Sequence, residues 1–332
     1  MIKIVAGKSK FLREIAEEYF KLLNPQNKNG AFHKRNSIYG RIETQFKIKS
    51  NRSNYSHYGR HLYNNLKTLI TGIPSEIYQI QKQLDGISNL YSLKRNILLK
   101  RINKIFYYDT FRESDTAIWL AKEINLGVCV YCNRQYISII KHKKSHMYLA
   151  DFDHYFLRSK YPCLSLSFYN LILSCHGCNS KLKFTAKFIL KNYLHPYMDS
   201  FNDILRFSTN VLNTNFFFNK GDDFEIKLKK NWFKNPTKKD INRAFKTAEI
   251  FRIKDLYNLH KDVIIELIQK HIIYSPQYID NLYSEFSILF STKADVYRML
   301  LGAYVIDSEI NKRPLSKFIK DISEEFGFLK LH

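Results

Sequence analysis

Cys-Val-Tyr-Cys at residues 129–132 and Cys-His-Gly-Cys at residues 175–178 are the two stretches around which this chain is organised. Two Cys-x-x-Cys pairs suit a structural zinc ion, because four thiolates at about 2.3 Å complete a closed tetrahedron. The alternative is four unrelated cysteines, but only Cys163, which we interpret as a small buried apolar residue, lies outside this register. The predicted zinc ligands are Cys129, Cys132, Cys175 and Cys178.

The sequence between the two cysteine pairs predicts strands around a long loop. Residues 148–154 alternate well enough to form a strand, and residues 168–173 form a shorter return strand. A helix is expected from Cys175 to about Leu190. The predicted order is therefore strand, loop, strand and helix, with zinc joining the two ends.

Polar residues stand at three places in this order: Asp153-His154 on the first strand, Asn170-Leu171 on the second, and Cys175-x-x-Cys178-Asn179 followed by Lys181 in the helix. They resemble the HNH endonucleases of the ββα-metal superfamily. The pattern of that family is Asp-His, then Asn-Leu on the second strand, then Cys-x-x-Cys-Asn before a helix that carries a lysine. The resemblance implies an α+β fold that is mostly helical, with a ββα-metal core stapled by the four-cysteine zinc site and flanked by helical regions.

The chemistry of phosphodiester hydrolysis explains why a histidine is needed at this position. The reaction requires a deprotonated water in line with the leaving oxygen, and a neutral imidazole with a pKa of about 6.5 can take that proton. We therefore predict that His154 is the general base; the competing interpretation is a buried, hydrogen-bonded histidine without a catalytic role. By resemblance, Asn170 holds the loop after His154 by hydrogen bonds and so aims the imidazole.

A second, harder ion, magnesium or manganese, is expected beside His154, with Asp153 and Asn179 as its ligands. Adjacent residues of a regular strand face opposite sides, so Asp153 and His154 can approach one ion only if the strand ends or bulges there. Asp151 shares the face of Asp153 and is a substitute ligand. Three cations of the same region are the predicted substrate contacts: Arg158, Lys160 and Lys181.

The charge of the chain points to a polyanionic partner. The formal net charge is +23, and it is unevenly distributed. Residues 1–126 carry 22 Lys/Arg against 10 Asp/Glu, residues 127–199 carry 10 against 3, and residues 200–332 carry 21 against 17. Because the excess of positive charge surrounds the predicted site, the simplest explanation is a DNA partner, or alternatively an RNA partner. The competing explanation is a coding bias that uses lysine as solvent-facing filler.

Composition excludes several other classes. No run approaches 18 consecutive apolar residues, and the first ten residues lack an apolar stretch of signal-peptide length. Cysteine is sparse and mostly in metal spacing, which fits a reducing compartment. We therefore expect a cytoplasmic protein that makes no membrane contact.

The flanking regions are predicted to be helical. In residues 1–126, helices are expected over residues 11–23, 61–70, 75–106 and 115–125, and the third has a possible kink at Gly86. Residues 26–60 interleave cations and aromatic residues, which favours a nucleic-acid contact or a loop that is disordered or ordered by a partner. The cations of residues 94–104 line a groove or form an ordinary solvated face.

Residues 200–332 are predicted to begin with two strands, 215–220 and 223–229, followed by a helical series that suits a scaffold or a docking surface. His195 supports a residue of the site, contacts the substrate or is a structural cap, and His260 is expected in the core. The predicted helices are 238–250, 253–272, 276–291, 292–305 and 314–326.

The whole arrangement is more loosely similar to the HNH subunits that accompany ATPases in bacterial anti-phage systems of the Septu type and in related retron systems. That similarity rests mainly on the nuclease segment and implies an ATPase protein partner, since the sequence contains no P-loop. The competing function is a zinc-stabilised nucleic-acid-binding module without catalysis. A zinc cytidine deaminase is disfavoured, because it needs a glutamate two residues after a zinc-bound histidine. The sequence contains no such pair.

Overall fold

The computed structural model describes residues 2–4, 11–50, 53–142, 145–148, 150–211 and 224–329. In these residues the fold is α+β and mostly helical, and the strands pair into two-stranded antiparallel sheets. No helix among them combines the length and the apolar character that crossing a membrane would require.

The N-terminal region begins with a small bundle of helices. Apolar side chains of these helices recur every three to four residues and are buried against one another. The helices are α1 (Leu12–Leu23), α2 (Ile38–Phe46), α3 (Asn54–Asn64), α4 (Leu66–Thr71), α5 (Pro74–Leu90), α6 (Arg95–Phe106), α7 (Tyr108–Arg112) and α8 (Asp115–Ile124).

The single long helix predicted over residues 75–106 is wrong, because α5 and α6 are separate. The chain turns after Leu90, where Ser92 has a positive φ of 48°, and Gly86 stays inside α5. Both helices bury their apolar faces in the same core, so the apolar period continues across the break. Periodicity therefore could not reveal the turn.

The middle of the chain holds two hairpins and a short wide helix. The strands are β1 (Ile139–His142), β2 (Ser145–Tyr148), β3 (Asp151–His154) and β4 (Leu171–Ser174). β3 pairs with β4 in antiparallel register, with Asp151 opposite Ser174 and His154 opposite Leu171. A π-helix, Gly177–Lys183, follows β4.

Three predicted bounds in this region need correction. The strand predicted over residues 148–154 begins at Asp151, because Tyr148 belongs to β2. The return strand begins at Leu171, because residues 168–170 form a 3₁₀ turn. The helix predicted from Cys175 to Leu190 ends at Lys183, where Phe184 has a φ of 41° and donates its N–H to the carbonyl of Asn179 at 3.0 Å.

The C-terminal region contains one hairpin and a helical series. Its elements are α9 (Phe201–Ile204), β5 (Leu205–Val211), β6 (Phe224–Lys230), α10 (Lys238–Ile250), α11 (Ile253–Tyr257), α12 (Lys261–Ile273), α13 (Pro276–Glu285), α14 (Lys293–Leu301) and α15 (Ser316–Glu325).

The predicted strand 223–229 is confirmed as β6, but its partner is β5, which was not predicted. The other predicted strand, 215–220, lies outside the described residues. A 3₁₀ turn at Asn258–His260 divides the helix predicted over residues 253–272, and the helices predicted to reach 291 and 305 end at Glu285 and Leu301.

The three predicted regions share one buried core. A continuous cluster of buried apolar side chains extends from Ile2 to Leu329. Ile2 donates its N–H to the carbonyl of Val130 at 2.8 Å, and Ile4 donates to that of Pro196 at 2.8 Å. The region boundaries at residues 126/127 and 199/200 stay predictions.

One asparagine ties the first cysteine pair to the C-terminal region. Asn133 is buried with a φ of 51°, and its Nδ2 donates to the carbonyl of Ile310 at 3.0 Å. Its Oδ1 accepts from the N–H of Lys317 at 3.1 Å, and its carbonyl accepts from the N–H of Leu315 at 2.6 Å. The start of α15 is therefore held against the turn that carries Cys132.

Replacing Asn133 by glycine should lower the free energy of unfolding by about 1–3 kcal/mol, because glycine keeps the positive φ but loses both side-chain hydrogen bonds. Asn125→Gly is the matched control, since Asn125 has a φ of 50° but is exposed. The control should change stability by less than about 0.5 kcal/mol. Urea unfolding measures both, and equal effects would contradict this role of Asn133.

Candidate functional site

The first cysteine pair lies in a tight turn closed by backbone hydrogen bonds. Cys129 donates its N–H to the carbonyl of Gln135 at 2.9 Å, and Asn133 donates to the carbonyl of Cys129 at 2.8 Å. An isolated antiparallel bridge joins Val128 to Tyr136. The turn therefore curls the backbone around the two thiols.

The second cysteine pair lies where β4 ends and the π-helix begins. All four sulfur atoms lie within 4.8 Å of one another, and all four cysteines are buried. A tetrahedral zinc ion with bonds of about 2.3 Å needs sulfur atoms roughly 3.8 Å apart, and the Sγ atoms of Cys132 and Cys175 are 4.0 Å apart. The four buried cysteines fit a metal ion such as zinc.

The electrostatics of this cluster favour a bound cation. Burial raises the pKa of the Cys129 thiol well above its usual value. Hydrogen bonding from Cys129 lowers the pKa of Cys132, so the cluster stabilises thiolate at one sulfur at the expense of its neighbour. Several thiolates cannot be buried together unless a positive charge compensates them, and a divalent ion provides that charge.

Cys163 lies apart from this cluster, as expected. It is fully buried, and its Sγ lies 3.2 Å from the hydroxyl of Tyr58. Burial raises the pKa of Cys163 to about 12, so it is an unreactive thiol.

Asp153 is bound inside the protein. It is 4% exposed, its Oδ2 accepts from the hydroxyl of Tyr131 at 2.5 Å, and its Oδ1 accepts from Lys183 Nζ at 2.8 Å. Lys183 also donates to the carbonyl of His154. Burial lowers the pKa of Lys183, while Asp153 favours its charged form. An ion bound by Asp153 would therefore have to displace a buried ammonium group.

His154, the last residue of β3, is hydrogen-bonded through Nε2. Its Nε2 lies 3.0 Å from the carbonyl oxygen of Ser165, and its ring meets the ring of Tyr108 edge-on at 4.4 Å. Among the described residues, Nδ1 has no hydrogen-bond partner. Burial lowers the pKa of His154 to about 4, so the imidazole is neutral at cellular pH.

Asn170 connects the two ends of the loop that follows His154. Its Oδ1 accepts from the N–H of Phe156 at 2.6 Å, and its Nδ2 donates to the carbonyls of Phe156 at 3.2 Å and Leu164 at 2.8 Å. Asn170 is fully buried. Because Leu164 precedes Ser165, these bonds also fix the carbonyl that holds His154.

Asn179 contacts Asp151 rather than Asp153. Its Nδ2 donates to Asp151 Oδ2 at 3.0 Å, and His176 Nδ1 lies 3.0 Å from the same oxygen. The Asp151 side chain is about one third exposed, and that of His176 is mostly exposed. Of the predicted ligands for the harder ion, the structure brings Asn179 to the substitute, Asp151.

The predicted substrate cations lie on the surface around this unit. Arg158 pairs with Asp109 at 3.0 Å and lies over the ring of Tyr108 at 4.7 Å, which places it near His154. Lys160 is exposed and lies 5.1 Å from the ring centre of Tyr161. Lys181 is exposed on the π-helix.

Three contacts of the site were not predicted from the sequence. Tyr108 comes from α7, and it also donates its hydroxyl to the carbonyl of Phe152 at 3.0 Å. Tyr131 lies inside the first cysteine pair, and Lys183 lies four residues after Asn179. A signal existed for Lys183 alone, since it is the second lysine of the predicted helix.

The two other histidines considered from the sequence lie outside this unit. His195 is fully buried against the ring of Tyr155, 4.2 Å away, which fits a structural cap. His260 is half-buried rather than in the core, and its Nε2 accepts from Arg134 Nε at 2.8 Å.

Comparison with known proteins adds no assignment, since no protein-family model, no curated protein and no solved structure matches this chain.

We expect one zinc ion per chain and its loss in Cys129→Ser, because three thiolates no longer close the tetrahedron. The thermal midpoint should fall by more than 10 °C, since binding energy at such sites is folding energy. Cys163→Ala is the control, a buried cysteine outside the cluster, and it should keep its zinc. Elemental analysis and calorimetry measure both; full zinc content in Cys129→Ser would contradict the site.

Proposed function

We propose that this chain is a metal-dependent HNH-type endonuclease that hydrolyses phosphodiester bonds of DNA, with RNA as the alternative substrate. The observation that carries the proposal is the state of His154. Its imidazole is neutral and is hydrogen-bonded through Nε2. Among the described residues Nδ1 has no partner, so it can accept a proton. A general base for water needs that combination.

The tautomer follows from the hydrogen bond to Ser165. A carbonyl oxygen can only accept, so Nε2 must carry the proton and Nδ1 must carry the lone pair. His154 can then take a proton from water at Nδ1 without first losing one. Asn170 supports this arrangement, because its bond to Leu164 fixes the peptide next to the accepting carbonyl.

Charge near His154 supports a phosphate substrate. Arg158 lies beside Tyr108, which contacts His154, so an incoming phosphate would meet a guanidinium close to the base. Arg158 pairs with Asp109, an exposed carboxylate, and such surface pairs are weak. Phosphate can therefore compete for Arg158 at little cost.

A magnesium or manganese ion, when bound, would stabilise the developing charge on the phosphate and the leaving oxygen. We propose that Asp151 and Asn179 hold it. A carboxylate and an amide oxygen suit such an ion, and rotation of the Asn179 amide would present its oxygen instead of its nitrogen. Asp153 stays a predicted ligand, but its carboxylate is already shared between Tyr131 and Lys183.

A zinc-stabilised binding module without catalysis accounts for the cysteines and for the charge. It gives no reason for a histidine beside Asp153 that is aimed by a buried asparagine.

The looser resemblance further suggests an ATPase protein partner and an anti-phage role. The exposed apolar side chains that follow α13, Ile288 at 98% and Leu289 at 69%, suit a docking surface in the C-terminal region.

Purified protein with manganese should nick DNA, and His154→Ala should reduce the rate about 10²–10⁴-fold, because the general base is lost. His61→Ala is the matched control, a half-buried histidine whose ring contacts Gln83 at 3.1 Å. Since the pKa of His154 is lowered to about 4, the wild-type rate should not fall between pH 8 and pH 6 through this group. A gel-based nicking assay measures the rates.

Imidazole added to His154→Gly should restore part of the nicking rate, which a purely structural role would not allow. Zinc content and the thermal midpoint must stay close to those of the wild type for these rates to count. Undiminished cleavage by His154→Ala would rule out the mechanism and favour the binding module.

Substitution of Asp151 should change the manganese requirement, whereas substitution of Asp153 should change stability. Asp151→Asn should raise the manganese concentration needed for half-maximal nicking at least tenfold and leave stability nearly unchanged, since Asp151 is partly exposed. Asp153→Asn should lower the free energy of unfolding by about 3–5 kcal/mol, because Lys183 loses its buried counter-charge. Manganese titration and urea unfolding measure the two effects, and the reverse pattern would return the ligand assignment to Asp153.

A further inference from the structure

Two large aromatic side chains are held in solvent immediately after β6. Trp232 is 74% exposed and Phe233 is 85% exposed, on a 3₁₀ turn that comprises Trp232–Lys234. Neither ring serves the core to any large extent, although exposing rings of this size costs free energy. Adjacent exposed aromatic rings mark an interaction surface more often than scattered single ones do.

The turn that carries these rings is anchored. Asn231 is buried; its N–H donates to the carbonyl of Ile204 at 2.9 Å, and its Nδ2 donates to the carbonyl of Asn202 at 2.6 Å. Its Oδ1 accepts from the N–H of Phe233 at 3.2 Å. The rings are therefore presented on a backbone that is fixed before any ligand arrives, which lowers the entropic cost of binding.

Cations lie beside both rings. Lys230 Nζ is 4.5 Å from the ring centre of Trp232, and the Arg206 guanidinium is 5.5 Å from that of Phe233. Arg206 also pairs with Glu324, so it is partly neutralised. Lys230 and Lys234 have no acidic partner in the part of the chain that the structure describes.

The surrounding sequence has one sign of charge. Residues 226–239 contain six lysines and no acidic residue. The core of a protein–protein interface is usually depleted in lysine, so this composition disfavours a protein as the occupant. A polyanion that also offers flat aromatic faces fits both features.

We propose that Trp232 and Phe233, with Lys230 and Lys234, form a binding platform for single-stranded nucleic acid. Unpaired bases stack on the rings, and the lysines contact the neighbouring phosphates. A duplex keeps its bases stacked inside and offers the rings no such face. The platform goes beyond the proposed hydrolysis, because it lies in the C-terminal region and contains none of the residues assigned to the chemistry.

The test uses the zinc-loaded full chain carrying His154→Ala without added magnesium or manganese, so that no cleavage occurs. Fluorescence anisotropy measures the binding of labelled 20-nucleotide oligo-dT, oligo-rU and a DNA duplex of the same length. Trp232→Ala with Phe233→Ala should weaken single-strand binding at least tenfold and change duplex binding much less. The oligo-dT and oligo-rU arms distinguish DNA from RNA.

Three further variants test base stacking, non-specific hydrophobic binding and phosphate contacts separately. Trp232→Tyr with Phe233→Tyr keeps two rings and should retain most of the single-strand affinity. Ile272→Ala with Ile273→Ala removes two similarly exposed apolar side chains elsewhere, each 69% exposed, and should leave binding unchanged. Lys230→Gln with Lys234→Gln should reduce the slope of log affinity against log salt by about 1.4, since each phosphate contact contributes roughly 0.7.

Unchanged single-strand affinity in the double alanine variant would overturn the platform. An equal loss of duplex and single-strand affinity in this variant would overturn it too. So would a variant that keeps its single-strand affinity but loses binding to vesicles of phosphatidylcholine and phosphatidylserine, which would assign the rings to a membrane surface. Because these measurements need no cleavage, a failure of the nuclease proposal would leave their result intact.

Discussion

Four buried thiols connect segments that are far apart in sequence, and the rest of the site depends on that junction. Cys132 and Cys175 are 43 residues apart, yet their sulfur atoms lie 4.0 Å from each other. The junction brings Tyr131 to Asp153 and the π-helix to β3. Without it, the ion pair of Asp153 and Lys183 would be exposed to water. Separating the partners of a buried ion pair lowers the free energy of unfolding.

The side chains of β3, the strand that lies between the two cysteine pairs in the sequence, point to two different faces. Asp151 and Asp153 point to the π-helix, where they meet Asn179 and Lys183. His154 points the other way, to Tyr108 in the N-terminal region. His154 is the last residue of β3 and Asp151 is the first, so the proposed base and the proposed ion site are separated along the strand as well as by face.

Parts of this arrangement could be predicted from the sequence because they are set by short-range chemistry. The cysteine register predicted the buried cluster, since four thiols in this spacing have few other uses. Alternation predicted that Asp151 and Asp153 share a face, but it could not decide which would meet Asn179. That choice depends on Lys183, whose π-helical position places its ammonium on Asp153. Side-chain reach across a non-standard helix is not encoded in any local pattern.

Long-range packing explains the remaining differences. The break after Leu90 was missed because α5 and α6 share one core. The contact of Tyr108 with His154 joins residues 46 positions apart, and nothing local to either residue announces it.

The C-terminal region holds the first cysteine turn through several hydrogen bonds. The hydroxyl of Tyr257 donates to the carbonyl of Cys132 at 2.7 Å, and Arg134 donates to His260 at 2.8 Å. Asn133 is bound to the start of α15 in the same way. Displacement of α11 or α15 would therefore act on the peptide groups beside Cys132 and on Tyr131, which holds Asp153. A protein that binds the C-terminal helices would have a physical route to the site through these hydrogen bonds, without contacting the site itself.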